Sequence, residues 1–316
     1  MTKRALLIGI DDYKNLAPLR GCVNDVNALR PLLESNEDGG PNFECHAHTA
    51  PDGYIGRREL LEAVDTLVGP GAEVALFYFA GHGVPERNDV VLVAQEGAPP
   101  DLGVSLSQVL GAVQESKVPE VILILDCCFS GNAGSLPQLG GRVSALRDGL
   151  GVLTASRGDQ TSRELTRGVF STNLCAALAG GAADVLGRVD IASLYAYLSE
   201  SFGAFDQRPT FKANVDRLHT LRTCSPAVPL SDLRRLAKIF ANPATDLPLD
   251  PSFEPSHALA SPDNVNIFRI LQTCRAARLV EPVGASHLFY AAIESKSCRL
   301  TPLGRHYWAM AQQKRI

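Results

Sequence analysis

Three stretches of the chain are apolar without interruption, and each stops abruptly at polar or glycine-rich sequence. Ala5–Ile10 ends at Asp11-Asp12, EVALFYFA (73–80) ends at Gly81-His82-Gly83, and EVILILD (120–126) runs into Cys127-Cys128. Short runs with no polar alternation predict strands buried on both faces. Between them, apolar residues recur at helical spacing: Val23, Val26, Leu29, Leu32 and Leu33, then stretches within 55–67 and 106–113. NFECHAHTA (42–50) alternates and reads as strand, and GVLTAS (151–156) predicts another. Helices are expected over 169–179 and 191–202, and RPTFKAN (208–214) as an extended closing segment. Strands alternating with helices define an α/β class with a mainly parallel sheet sandwiched by helices. The Gly- and Ser-rich stretch after Gly131 reads as a loop.

From Leu230 the pattern changes. SDLRRLAKIF is one helix, and the Pro-rich NPATDLPLDPSFEPS marks a break. Ser261 then sits at an N-cap position with Pro262 at the first helical residue. After this helix the chain alternates, turns and closes in a helix carrying Trp308. This order resembles a winged helix, so the chain is divided into a domain over 1–224 and a small C-terminal one over 225–316.

Charge follows the same division. Residues 225–316 hold 11 basic and 7 acidic side chains, leaving 19 basic and 27 acidic in 1–224. An acidic body suits cationic substrates, and the tail's small excess is thin for phosphate binding. The three arginines of its candidate recognition helix are Arg269, Arg275 and Arg278, beside Glu281. Protein docking is therefore expected of the tail ahead of nucleic-acid binding. Eight cysteines in 316 residues are too few for a disulfide scaffold. The first apolar run is too short for a signal sequence, and no run reaches membrane-span length. A reduced, cytoplasmic protein without membrane attachment is the expectation.

Ligand sites in parallel sheets gather at the carboxyl ends of strands, where His82 and Cys127-Cys128 fall. A thiol nucleophile needs a nearby imidazole, because free cysteine has a pKa of about 8.5, and it needs donors for the oxyanion. Gly83 allows close backbone approach and supplies one N–H. Taken singly these residues are weak signals: a lone histidine is usually a satisfied polar group, and paired cysteines in a buried strand are usually inert. Adjacent cysteines on a strand point to opposite sides, which disfavours zinc, and CHAH at 45–48 is the other metal-like cluster. No cofactor is expected, and a calcium requirement is left open.

ALLIGIDDY, LRGCVNDVNAL, FYFAGHG, LILDCCFSG and LTASRGDQTSRE…GVFSTNL, in that order over roughly residues 3–215, resemble the caspase-like cysteine peptidases. The bacterial and metacaspase branch fits best. The spacing of 46 from His82 to Cys128 matches the caspase pattern of a histidine about 50 residues upstream. The resemblance implies a Cys-His dyad with Cys128 as nucleophile, His82 as acid–base, and Gly83 and Cys128 N–H groups at the oxyanion. It implies an acidic P1 pocket from Asp25, Asp126 and Cys22, hence cleavage after Arg or Lys. A small hydroxyl residue is expected just before Gly-His, where this chain has Ala80. Cleavage after Asp is the alternative, with Arg20 and Arg157 as the basic residues. The loop at 132–149 falls where caspases carry an intersubunit linker, so Arg142 and Arg147 are self-processing candidates. A role as an activatable effector protease in bacterial defence or cell death is consistent with this. The competing reading is a non-catalytic docking protein or a winged-helix DNA-binding regulator.

Overall fold

The computed structural model describes residues 2–50, 53–86, 89–127, 146–155, 168–202 and 209–316. The chain forms two compact units: Met1–Ala183 with Arg188–Cys224, and Asp184–Gly187 with Ser225–Ile316.

The first unit starts with β1 (Lys3–Ile10), α1 (Cys22–Glu34), β2 (Phe43–Ala50), α2 (Arg57–Leu67) and β3 (Val74–Gly81). β4 (Gly83–Glu86), β5 (Asp89–Ala98) and β6 (Asp101–Ser105) follow, then α3 (Leu106–Glu115), β7 (Glu120–Cys127), β8 (Leu150–Thr154) and α4 (Val169–Ala176). β9 (Arg188–Val189), α5 (Ile191–Ser201), β10 (Thr210–Asn214) and β11 (Arg222–Thr223) complete it. Six strands make the main sheet in the order β10-β8-β7-β3-β1-β2. All pairs are parallel except β10 with β8. This is the expected α/β sandwich.

Alternation along the strands sorts their side chains between two cores. Leu6, Ile8, Phe77, Phe79, Leu123 and Leu125 pack on one face with α2 and α3. Leu7, Leu76, Tyr78, Ile122 and Ile124 pack on the other with α1, α4 and α5. Both faces of β3 and β7 are therefore covered, which is why their sequences show no polar alternation. The antiparallel sheet β4-β5-β6 was not among the expected elements, although its central strand carries the apolar run Val90–Ala94. α4 also differs from its expected range. Its regular turns end at Ala176, and a wider turn over Ala177–Gly181 follows, with Gly180 at φ 120°.

The second unit contains α6 (Leu230–Ile239), β12 (Leu247–Pro248), α7 (Pro262–Ala276), β13 (Val280–Val283), α8 (Leu288–Ile293), β14 (Ser297–Leu300) and α9 (Pro302–Gln312). Its strands form an antiparallel sheet in the order β12-β14-β13. α7 begins at Pro262 as expected, although Ser261 makes no side-chain cap bond. The stretch read as alternating contains a helix, α8, so β13 and β14 are not joined by a simple turn. Trp308 Nε1 donates to the Phe240 carbonyl at 2.8 Å, tying α9 to the end of α6. No described helix is long and apolar enough to cross a membrane.

Candidate active site

β3 and β7 lie side by side, and their register runs to the last pairs Ala80↔Asp126 and Gly81↔Cys127. The next residues in sequence are His82 and Cys128. Cys128, Arg142 and Arg157 lie outside the described residues.

His82 is held at three points. Its N–H donates to Tyr13 Oη at 2.8 Å, and its carbonyl accepts from Val93 N–H at 3.0 Å. Its Nε2 lies 2.8 Å from the Ala17 carbonyl oxygen. A carbonyl only accepts, so Nε2–H is the donor in this contact and Nδ1 is the ring nitrogen left for proton exchange. The Tyr13 and His82 rings are 4.8 Å apart. Burial pushes the Tyr13 phenol far above its ordinary range, so it stays a neutral hydroxyl. Gly81 makes room for it, since a Cβ there would come within 2.5 Å of Tyr13 Oη.

The segment carrying Tyr13 and Ala17 is itself pinned. Asp11 accepts from the N–H groups of Cys22 and Val23 at 2.9 and 3.3 Å, satisfying the start of α1. The Asp11 carbonyl takes Leu19 N–H at 2.8 Å, and Lys14 N–H donates to the Gln95 carbonyl at 2.9 Å. Beyond His82, Gly83 pairs with Leu92 across the β4–β5 ladder. His82 and Val93 form the hydrogen-bonded pair, so ladder alternation turns the Gly83 N–H away from β5.

On the other face of the sheet, Asp126 and Asp25 are buried, both in the field of the Tyr78 hydroxyl. Asp126 Oδ2 accepts from Ser171 Oγ, with Tyr78 Oη 3.4 Å away. Asp25 accepts the Gly168 N–H at 3.3 and 3.4 Å from its two oxygens. Burial, and next the two carboxylate charges, push Tyr78 well above the ordinary phenol range. Cys22 is buried one turn before Asp25 on α1. This helix can lie against β1 because Gly9 has no Cβ, which would meet the Cys22 carbonyl at 2.7 Å. Ala80 brings no hydroxyl; those beside Asp126 come from Tyr78 and Ser171.

Cys127 is fully buried with Phe79 and Leu125 on the face opposite Asp126. Arg147 has its guanidinium on the Ser116 and Val118 carbonyls at 2.9 and 2.6 Å. Arg20 is exposed. Among the described residues no group of three or more His, Cys, Asp or Glu side chains could hold a metal ion. Burial pushes the Cys45 thiol of CHAH up to about 12. Sequence reasoning did not reach Tyr13, Ala17, Tyr78 or Ser171, since each meets its partner 45 to 93 residues away.

The mainly parallel sheet carries helices on both faces, and His82 follows one of its central strands. Residues 2–219 match the caspase domain, and the chain belongs to that family of cysteine peptidases. Metacaspase-2 of Trypanosoma brucei brucei is 30% identical over 159 residues, covering 43% of this chain and 44% of that protein. Metacaspase-6 of Arabidopsis thaliana is 36% identical over 89 residues, covering 26% and 24%. The chain thus spans less than half the length of these relatives. Among solved structures, Caspase-1 from Spodoptera frugiperda superposes with a TM-score of 0.51 at 15% identity, covering 71% of this chain and 90% of that one. A Geobacter sulfurreducens protein superposes with a TM-score of 0.52 at 14% identity, covering 71% and 100%. These likenesses establish the shared fold.

Proposed function

We propose that the chain is an endopeptidase that cleaves after Arg or Lys. The observation that supports this reading is the β3–β7 register, whose last pair, Gly81↔Cys127, comes one residue before His82 and Cys128 in sequence. Cys128 gives its proton to His82 Nδ1 and attacks the peptide carbonyl, with the Gly83 and Cys128 N–H groups taking the oxyanion. The tetrahedral adduct collapses as His82 protonates the leaving amine, and water then hydrolyses the thioester. Asp126 and Asp25, with Cys22 beside them, recognise the P1 cation.

Fluorogenic peptides differing only at P1 test this. Arg and Lys peptides are cleaved, Cys128→Ala abolishes turnover, and Cys127→Ala retains it. Equal rates on Asp peptides would remove the acidic-pocket reading, and loss of activity only in Cys127→Ala would move the nucleophile by one residue. For the second unit we propose protein docking. Two of the three arginines counted toward DNA are engaged within the unit, Arg269 with Asp232 at 3.4 Å and Arg275 with His287 Nδ1 at 3.2 Å. A gel shift that persists at low salt and weakens with added salt would overturn that assignment.

A further inference from the structure

Ser171 lies in GVFSTNL, in the first turn of α4, and its side chain is buried. Its partners are distant in sequence: Asp126 is 45 residues away and Tyr78 is 93. Ser171 Oγ donates to Asp126 Oδ2, and Tyr78 Oη is 2.7 Å from Ser171 Oγ. A hydroxyl has one proton to donate, and that of Ser171 goes to the carboxylate. The proton between the two hydroxyls is therefore supplied by Tyr78. The chain runs from Tyr78 to Ser171 to Asp126, and hydroxyls linked in series polarise one another. Burial and the adjacent carboxylates keep the Tyr78 proton in place. The residue that opens the same turn, Gly168, donates its N–H to Asp25. One helical turn thus grips both acidic side chains, and it lies across the sheet face from the buried Cys127.

We infer that Ser171, backed by Tyr78, is a positioning residue for P1 recognition: it fixes the Asp126 carboxylate so that an arriving guanidinium meets a pre-set acceptor. The inference rests on the basic-P1 reading proposed above. Its physical content is preorganisation, since a carboxylate already oriented by fixed donors has less to reorganise when a cation binds. Guanidinium and ammonium respond differently to losing that orientation. Arg binds carboxylates through a planar fork with strict geometry, whereas Lys acts as a compact point charge. The Ser171 hydroxyl therefore matters more for Arg than for Lys.

The test compares steady-state kinetics of the full chain on matched P1-Arg and P1-Lys peptides. Ser171→Ala raises KM for the Arg peptide roughly tenfold, the scale of one hydrogen bond to a charged group, and raises it less for the Lys peptide. The Arg-over-Lys preference shrinks accordingly. Ser171→Thr, which keeps the hydroxyl, restores most of the preference, and Tyr78→Phe moves it in the same direction as Ser171→Ala by a smaller step. If Ser171→Ala lowers activity on both peptides equally, or leaves both KM values unchanged, the inference is overturned while basic-P1 specificity stands. A wild-type enzyme that does not favour basic P1 residues overturns the underlying reading too, and shows it before any variant is made.

Discussion

Glu120 and Asp126 are the first and seventh residues of β7, and both side chains are almost entirely buried. At the amino end, Glu120 Oε2 contacts His219 Nδ1 and accepts the His219 N–H at 3.1 Å. Lys3 sits nearby, its ammonium on Asn42 Oδ1 at 2.8 Å and on the Thr220 carbonyl at 2.6 Å. The other Glu120 oxygen is buried and has no hydrogen-bond partner among the described residues. Near the carboxyl end, the Tyr78 and Ser171 hydroxyls stand at Asp126 and the Gly168 N–H at Asp25. A buried acid is thus not a functional signature in itself. Glu120 faces titratable groups of its own chain and holds His219 to the sheet, while Lys3 holds Thr220. Asp126 accepts from the Ser171 hydroxyl and Asp25 from the Gly168 N–H, and Asp126 lies on the strand next to the one that leads to His82.

The sharpest way to break this contrast is to remove function at one end and not at the other. His82→Ala is expected to cost roughly 10²–10⁴-fold in kcat/KM, the range for a lost acid–base group. Retention of wild-type turnover would leave the carboxyl-end site without a catalytic role. Asp126→Asn keeps the shape and removes the charge, so it is expected to raise KM for Arg peptides by roughly ten- to a hundredfold. If kcat falls instead with KM unchanged, Asp126 acts on the chemistry and not on P1.

The smallest expected effect lies at the amino end, and it is one of stability. Burial raises the Glu120 carboxyl above its usual range, with His219 pulling the other way. The folded value thus exceeds the ordinary glutamate pKa of about 4.3, and the native state holds the extra proton across that interval. The contribution of Glu120 is complete below the unfolded value and is lost as pH rises through the folded one. Denaturant unfolding across a pH series therefore shows wild type losing stability relative to Glu120→Gln as pH climbs from about 4. A flat difference would mean that burial does not perturb this carboxyl.

Much of this contrast was legible in the chain as written. β1, β3 and β7 are buried on both faces, so their apolar runs announce strands, and their polar ends announce where a site can form. His82 and the Cys127-Cys128 pair were reachable for that reason, whereas Asp126 and the choice of Cys128 came only from the resemblance to caspase-like peptidases. β4 and β6 were not reachable, because a four-residue strand holding Pro85 and a five-residue strand holding Gly103 carry too few alternations to show a period. The six residues of α8 were hidden in the same way. Tyr13 and Ser171 escaped for a different reason. A tyrosine after two aspartates and a serine in the first turn of a helix look ordinary until the fold brings them to His82 and Asp126.

The central claim is that the thiol paired with His82 belongs to Cys128 and that it acts on substrates with a basic P1 residue. A peptidyl chloromethyl ketone with Arg at P1, followed by mass mapping of the modified peptide, tests both halves at once. The account predicts one adduct, on Cys128, formed faster than with the matching Asp reagent and abolished in His82→Ala. An adduct on Cys127, or equal labelling by the Asp reagent, would contradict it.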